Sequence, residues 1–430
     1  MLFGNIDRNK LGHLTFAGHD TLELQKKYGT PLYLMDEARI RHNCRMYTEA
    51  FRSAFGDKAT VHYASKAASF KQMYRIMQEE GMGVDTVSIG EIYTALQAGF
   101  PPERICFHGN CKTDEDIRYA VANRVGCFVV DNRDELLQLN KEAGRAGICQ
   151  RILLRVTPGI DPHTYAAVNT GCVDSKFGSA IETGQAFQLV REALTMAHLQ
   201  LDGVHCHVGS MVFGEDVYQR TLDIMLAFMA EVKTKLGYTM TALDLGGGYG
   251  VRYLDSDESI DIPARIAEVS AYLKEKAAEL DFPVPYFMME PGRSIVADAG
   301  MTLYTAGSVK RIPGYKNYVA VDGGMTDNPR YALYGAKYTV LHASKQGGAT
   351  VFDLVGRCCE SGDIIQPEVL LPDDICRGDC IAVCTTGAYN YSMASNYNRI
   401  ARPPVVMLTE DGDYVAVRRE TLADLTDLDV

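Results

Sequence analysis

The sequence lacks several features that would assign it to a particular class of protein. It has no uninterrupted apolar run of about 20 residues, so we expect no transmembrane helix. It has no lysine- and arginine-rich run, and its formal net charge of −12 disfavours nucleic acid as a partner. Residues 1–10 do not show the charged and then apolar order of a secretory signal. We therefore expect a cytoplasmic protein that binds neither a membrane nor nucleic acid.

The twelve cysteines include no C-x-x-C pair. In a chain of this size, that scatter favours reduced and mostly buried thiols over a disulfide framework. Cys376, Cys380 and Cys384 recur every four residues, but Arg377–Asp379 has the composition of a turn that leads into an apolar strand. We predict core cysteines there rather than a metal site.

The 430 residues exceed what one hydrophobic core usually organises, so two domains are expected. Short apolar runs alternate with longer helical patterns from about residue 40 to 290. The predicted strands are Val61–Tyr63, Val84–Val87, Ile105–His108, Phe128–Asp131, Ile152–Val156, Gly203–His207, Ala242–Leu245 and Tyr286–Glu290. Eight strand–helix repeats predict an α/β fold, a parallel (β/α)8 TIM barrel over residues 37–295.

The pattern changes after about residue 295. Strand-like runs follow one another with few helical stretches: Asn317–Val321, Ala349–Leu354, Cys380–Cys384, Val405–Leu408 and Tyr414–Arg418. The first 35 residues also look extended, at Leu14–Phe16 and Pro31–Met35. We predict a mainly β C-terminal domain, residues 296–430, which the N-terminal segment 1–36 joins.

Ionisable and glycine-rich positions follow the barrel strands, at the end where barrel enzymes carry their chemistry. They are Lys66, His108, Arg155, His205, His207, Gly246–Gly248 and Glu290. A lysine among small apolar neighbours can be partly desolvated, which makes its neutral amine available for a Schiff base. A glycine run lets the backbone approach a phosphate, and a carboxylate after the last strand can face a pyridine nitrogen. Taken alone, the lysine could be a solvated loop residue and the glycine run an ordinary turn. Together, these residues predict a pyridoxal 5'-phosphate site.

His205 and His207 lie on one face of the sixth predicted strand, with Cys206 on the other. Such a pair could bind a metal, as in metal-dependent barrel hydrolases, or stack on a ring or handle a proton. A buried, hydrogen-bonded histidine is a further alternative. No Asp ends the last strand and no second histidine pair is present, so we expect no metal.

The segment Arg357–Asp363 places a thiol beside a carboxylate among turn-forming residues. A neighbouring negative charge disfavours the thiolate, so Cys359 next to Glu360 is better suited to donate a proton than to attack as a nucleophile. A buried cysteine pair beside a solvated carboxylate is the alternative.

Many ordered motifs together resemble the diaminopimelate decarboxylase family, which are pyridoxal-phosphate enzymes with an alanine-racemase-like barrel and a β domain. The segments that carry the resemblance are Tyr63–Ala67, Gly83–Ser88, Phe107–Asn110, Arg155–Gly159, Asp174–Gly178, His207–Ser210, Gly246–Gly248, Glu290–Arg293, Cys359–Asp363 and Gly387–Tyr389. They extend over nearly the whole chain.

The resemblance implies a role for each matching residue. Lys66 would bind the cofactor covalently, His207 would stack on its ring, and Glu290 would face the pyridine nitrogen. The remaining cofactor contacts would be Ser210, Gly247, Gly248, Gly292, Arg293 and Tyr389. The substrate-binding set would be Arg293, Arg330, Tyr334, Glu360 and Tyr389. Cys359 would be the proton donor, and with Glu360 it would complete the site of the other subunit in a homodimer.

The resemblance also implies the reaction, the decarboxylation of meso-2,6-diaminopimelate to L-lysine and CO2. The uncleaved end of that substrate carries an ammonium and a carboxylate. Glu360 can bind the ammonium, and Arg293 and Arg330 can bind the carboxylate. Related enzymes that act on ornithine, arginine or a carboxylated polyamine are the nearest alternative. The ornithine enzymes typically read Cys-Asp-Gly at the thiol, unlike Cys359–Asp363. A non-catalytic carrier of a phosphate cofactor would have little use for Cys359 and Glu360.

The chain departs from the family pattern at two positions. Tyr331 stands where the family usually has proline between Arg330 and Tyr334, and Met211 follows the histidine motif where glutamine is frequent.

Overall fold

The computed structural model describes residues 4–160, 175–214, 216–347 and 350–430. Asp174, which begins one family-like segment, and Ala349, which begins a predicted strand, lie outside the described residues. The chain divides into two units. The barrel unit consists of Cys44–Gly250 and Ser259–Gly292, and the sheet unit of Met1–Asn43, Val251–Glu258 and Arg293–Val430.

The N-terminal segment of the sheet unit begins with a small antiparallel sheet of three strands, β1 (Ile6–Arg8), β2 (Leu14–Phe16) and β3 (His19–Asp20). Helix α1 (Thr21–Tyr28) follows, and the side chain of Asp20 caps it by accepting a hydrogen bond from the backbone N–H of Leu22. Strand β4 (Leu32–Asp36) is buried along its whole length.

The barrel unit contains eight parallel strands that close into a ring. Each strand pairs with the next, and the last pairs with the first: β5 (Ala59–Ala64), β6 (Gly83–Thr86), β7 (Ile105–Phe107), β8 (Cys127–Val130), β9 (Gln150–Thr157), β11 (Leu199–His205), β12 (Ala242–Asp244) and β13 (Tyr286–Met289). The two-residue strand β10 (Ser179–Ala180) adds to β9. The predicted (β/α)8 barrel is confirmed.

Helix α2 (Glu37–Phe55, which begins in the sheet unit) precedes the first barrel strand, and the other helices of the barrel alternate with its strands in the order that the sequence predicts. Those helices are α3 (Lys71–Glu79), α4 (Ile89–Gln97), α5 (Asp114–Ala122), α6 (Arg133–Arg145), α7 (Gln185–Ala193), α8 (Asp216–Leu236) and α9 (Ile262–Glu279). Polar N-caps begin several of them, such as Ser88 for α4, Thr113 for α5 and Asn132 for α6. Among the described helices, none is both long and apolar enough to cross a membrane.

The C-terminal part of the sheet unit is mainly β. It contains α10 (Arg293–Val296), β14 (Gly300–Arg311), β15 (Asn317–Val321), α11 (Arg330–Tyr334), β16 (Val340–His342), β17 (Thr350–Val355), β18 (Ile364–Leu371), β19 (Cys380–Cys384), β20 (Val405–Thr409) and β21 (Gly412–Val417). The strand order is β18-β17-β15-β14-β4-β20-β21, with β19 paired to β14 and β16. Since β4 lies between β14 and β20, the N-terminal segment joins this sheet, as predicted.

The cysteines of the described residues are all free thiols. Cys380 and Cys384 are buried in β19, as predicted, but Cys376 is exposed. The prediction of a core position for Cys376 is therefore wrong, because it lies in the turn before β19 rather than in the strand itself.

Candidate active site

Lys66 lies directly after β5, in a short 3-10 turn formed by Ser65–Ala67. Its two neighbours in the turn are buried, whereas Lys66 itself is exposed. The partial desolvation that its small neighbours suggested is therefore not present in the chain alone. The charge of Lys66 nevertheless acts on the barrel end, where it lowers the pKa values of Asp85 and Glu290 against the opposing effect of burial.

The glycine run after β12 is packed so closely that side chains have no room. A Cβ at Gly246 would lie 2.7 Å from Nδ1 of His207, and one at Gly247 would lie 2.3 Å from the carbonyl oxygen of Glu290. A Cβ at Gly248 would lie 2.8 Å from the carbonyl oxygen of Gly209. Gly246 also has φ of +67°, a left-handed value that favours glycine. The run therefore brings bare backbone next to the loops that carry His207, Ser210 and Glu290.

Gly292, in the loop after β13, allows that loop to pack closely against β5. A Cβ there would lie 3.0 Å from the Cβ of Ala64, the last residue of β5. The backbone N–H of Ala64 also donates to the carbonyl of Pro291 at 3.1 Å. The loop after β13 is thus held against the strand that precedes Lys66.

Glu290 follows β13 and is 6 % exposed. Nε2 of His205 hydrogen-bonds to Oε2 at 3.2 Å, and Nε2 of His108 lies 2.7 Å from Oε1. Asp85, the residue before the last one of β6, lies 3.7 Å from Nε2 of His108. Two imidazoles and a second carboxylate thus surround the carboxylate that we predicted to face a pyridine nitrogen.

Burial governs the charges at this end of the barrel. It raises the pKa of Glu290 and raises that of Asp244, at the end of β12, well above its usual value. It also lowers the pKa of His108 to about 3 and that of His205 well below its usual range. The two imidazoles are therefore neutral near pH 7.

The predicted histidine pair is not a pair in the structure. Strand β11 ends at His205, so His207 lies in the following loop and the two side chains do not share a strand face. His205 is buried against Glu290, whereas Nδ1 of His207 accepts the backbone N–H of Gly247 at 3.3 Å. Among the described residues, the three side chains whose ligand atoms could hold a metal ion are instead His108, His205 and Glu290.

These residues fit pyridoxal phosphate. The glycine run offers backbone with no side chain in the way of a phosphate, as at other barrel phosphate sites. The buried carboxylate of Glu290 is a suitable partner for a protonated pyridine nitrogen, and the amine of Lys66 follows the adjacent strand.

A second cluster lies in the sheet unit, where two buried guanidinium groups flank one tyrosine. Arg293 and Arg330 are 5 % and 6 % exposed, and their guanidinium carbons lie 4.9 Å and 5.2 Å from the ring centroid of Tyr389. Arg330 also lies 5.0 Å from the ring of Tyr334. Nε of Arg330 is buried without a hydrogen-bond partner among the described residues, so the cluster is suited to bind an anion.

The backbone around Tyr389 accounts for that arrangement. A Cβ at Gly387 would lie 1.8 Å from the carbonyl oxygen of Val296, so only glycine allows this loop to approach the helix that carries Arg293. Tyr389 itself has φ of +60°, and the buried side chain of Asn390 fixes the turn by donating to the carbonyl of Thr386.

The turn that carries the thiol is fixed by Asp363, which is 4 % exposed. Its carboxylate accepts the backbone N–H groups of Cys358 at 2.7 Å and Met325 at 2.6 Å. Burial, with Asp363 nearby, raises the pKa of Cys358 to about 11. Cys359 and Glu360 are exposed at the surface of their own chain.

The two departures from the family pattern have simple structural settings. Tyr331 lies in the first turn of α11, where proline is tolerated because its missing N–H would have no partner within the helix. Helix α11 therefore forms with either residue. Met211 has φ of +63°, an uncommon value for a residue with a side chain.

Several residues of the two clusters were absent from the predicted site. The sequence signal for His108 and His205 was present, because both were predicted to lie at the ends of barrel strands. Asp85 and Asp244 lie inside predicted strands, and Tyr253, which accepts a hydrogen bond from Nη1 of Arg293 at 2.7 Å, lies in a loop without a recognisable motif.

Comparisons with known proteins agree with this geometry. The pyridoxal binding domain of the pyridoxal-dependent decarboxylases matches residues 37–297. Diaminopimelate decarboxylase of Bacillus subtilis (strain 168) is 44% identical over 431 residues, which cover 100% of this chain and 98% of the relative. The crystal structure of diaminopimelate decarboxylase from M. jannaschii in complex with L-lysine has a TM-score of 0.92 at 33% identity, covering 100% and 98% of the two chains. A lysine/ornithine decarboxylase from Vibrio vulnificus, complexed with putrescine, has a TM-score of 0.75 at 25% identity, covering 91% and 98%.

Proposed function

Since the chain belongs to the diaminopimelate decarboxylase family, we propose that it decarboxylates meso-diaminopimelate to L-lysine and carbon dioxide, the last step of lysine biosynthesis, with pyridoxal phosphate as its cofactor. The observation that carries this function is the buried carboxylate of Glu290 at the same barrel end as Lys66 and the glycine run. A lysine, a phosphate cradle and a carboxylate that faces the pyridine nitrogen together suit this cofactor.

The barrel residues would hold the cofactor. Lys66 would bind it covalently, and Glu290 would pair with its pyridine nitrogen. The phosphate would lie against the loops of Ser210, Gly247, Gly248 and Gly292, with His207 on the ring. When bound, the cofactor accepts the electron pair that the departing carboxylate leaves behind. The protein's contribution is to orient the bond that breaks and to keep Glu290 charged.

The sheet residues would hold the uncleaved end of the substrate. Arg293 and Arg330 are two buried cations around Tyr389, and an arginine can bind a carboxylate through two parallel hydrogen bonds. Tyr334 lies beside Arg330 and would border the same group. Glu360 would bind the distal ammonium. Ornithine and arginine lack this second carboxylate, so buried guanidinium groups would repel their cationic ends.

Cys359 would return a proton to the carbon that loses its carboxylate. The exposure of Cys359 in its own chain supports a role in the site of a second subunit. The neighbouring Cys358, by contrast, is partly buried and lies near Asp363. We therefore propose a homodimer in which Cys359 and Glu360 of each chain complete the partner's site.

The function is tested by a decarboxylation assay on meso-diaminopimelate, lysine, ornithine and arginine, with absorption spectra and metal analysis of the same preparation. We expect turnover of meso-diaminopimelate alone, and an absorption band of lysine-bound cofactor that borohydride removes. Dominant ornithine turnover would refute the substrate. A colourless protein with stoichiometric zinc would instead support a hydrolase that uses His108, His205 and Glu290.

Replacing the covalent lysine tests the cofactor assignment within the same assay. Lys66→Ala should lose turnover and the absorption band, whereas Lys71→Ala, which removes an exposed lysine in the same region, should keep both. Full activity in Lys66→Ala would refute its covalent role.

A further inference from the structure

The carboxylate of Glu290 is flanked by two histidines at the ends of strands not paired with β13. In the strand order, the neighbours of β13 are β12 and β5, whereas His205 ends β11 and His108 follows β7. Both imidazoles therefore reach across the barrel end to the two oxygens of Glu290. Their rings lie 4.9 Å apart and are inclined by 70°.

His205 supplies a hydrogen-bond donor to Glu290 without supplying a charge, whereas Nε2 of His108 lies close to Glu290 but has no hydrogen-bond partner among the described residues. A neutral imidazole that bonds to a carboxylate through Nε2 carries its proton there and leaves Nδ1 as a lone pair. Nδ1 of His205 is buried and has no hydrogen-bond partner within the described ranges, which favours this tautomer because a buried N–H at Nδ1 would lack an acceptor. His205 therefore stabilises an ionised Glu290 while leaving its negative charge in place.

The surroundings bear on the charge of Glu290. It shares the barrel end with the buried carboxyl groups of Asp85 and Asp244, whose pKa values burial and the charge of Glu290 raise, so the three groups compete for protons. A proton that settled on Glu290 would remove its attraction for a protonated pyridine nitrogen. Nε2 of His108 lies 3.7 Å from the nearest oxygen of Asp85 and 2.7 Å from the nearest oxygen of Glu290, so the same imidazole nitrogen is close to both carboxyl groups.

We infer that His205 and His108 are positioning residues that act on the reaction through Glu290, by holding its carboxylate ionised and in one orientation toward the pyridine nitrogen. The inference rests on the proposed role of Glu290. Through Glu290, these histidines would help to keep the cofactor ring protonated. A protonated ring accepts electrons better than a neutral one.

The experiment is nitrogen NMR of the holoenzyme reconstituted with pyridoxal phosphate that is labelled with ¹⁵N in the ring, because the ¹⁵N signal reports protonation directly. Glu290→Gln supplies the signal expected when the charge is lost. We expect His205→Leu to move toward that signal and to lower kcat about 10- to 100-fold, the range typical of residues that orient a functional ligand. His205→Gln, which keeps a donor near the position of Nε2, should stay close to the wild type.

His108→Leu and His108→Gln form a second pair, in case His205→Leu does not fold, and His42→Leu is a control at an exposed histidine. A merely structural role would reduce cofactor occupancy and leave the signal of the bound fraction unchanged. The inference is overturned if the folded leucine variants keep the wild-type signal. If Glu290→Gln itself keeps it, the role of Glu290 also fails, whereas the substrate assay tests the decarboxylation independently.

Discussion

Arg330 is a buried cation, 6 % exposed, in the sheet unit. A buried charge is costly unless a partner compensates for it, and the rings of Tyr334 and Tyr389 offer only weak cation–π attraction. A ligand carboxylate bound there, as we propose, would compensate for the remaining cost. Sequence resemblance marked the residue, but its burial and its shared contact with Arg293 around Tyr389 required the structure.

Replacing Arg330 with lysine should therefore impair binding of the distal carboxylate. The ammonium keeps the charge but loses the two-pronged hydrogen bond, so kcat/KM for meso-diaminopimelate should fall about 10- to 100-fold. Steady-state kinetics of Arg330→Lys beside Arg377→Lys, an exposed arginine of the same unit, measures the effect. Equal kinetics of the two variants would contradict the assignment.

At the scale of elements, the βα loops determine the barrel site. The glycine run after β12 and the loop after β13 are in backbone contact. A Cβ added at Gly247 would lie only 2.3 Å from the carbonyl oxygen of Glu290. The alternation of strands and helices predicted that these loops converge. It did not predict which backbone atoms would touch, since that depends on where each strand ends, and β11 ended two residues earlier than expected.

Gly247→Ala should separate these two loops and weaken cofactor binding. The new methyl group meets backbone rather than a flexible side chain, so the loops must shift, and we expect the dissociation constant for pyridoxal phosphate to rise at least about tenfold. Fluorescence titration of the apoenzyme with cofactor measures this change. Gly90→Ala is the matched control, because the nearest atom to its Cβ would be 3.6 Å away. An unchanged affinity in Gly247→Ala would refute the proposed cradle.

At the scale of the whole molecule, the assembly remains a prediction. Cys359 and Glu360 face outward on a turn that Asp363 fixes by accepting two backbone N–H groups. An ordered but exposed turn with chemistry-bearing side chains is what a shared site would need. The predicted domain bounds, 37–295 against 1–36 and 296–430, likewise stay a prediction.

Mixed dimers test the shared site. A dimer of one Lys66→Ala chain and one Cys359→Ala chain has both changes in one site and neither in the other, if Cys359 serves the partner. Heterodimers purified through two different tags should then recover about half of the wild-type activity, although each homodimer is severely impaired. Activity of the tagged heterodimers, compared with each homodimer, measures this. Heterodimers without recovery would place Cys359 in the site of its own chain.

The sequence by itself determined the order of elements, the β domain that the N-terminus joins, and the positions of Lys66, Gly246–Gly248 and Glu290 after barrel strands. These follow from local patterns, since apolar periodicity and glycine runs report on residues close together along the chain. Only the tertiary structure placed His108 and His205 against Glu290 and Arg293 beside Arg330. Those contacts join residues far apart along the chain, and they depend on barrel closure, strand ends and close backbone packing. No local pattern in the sequence encodes these properties.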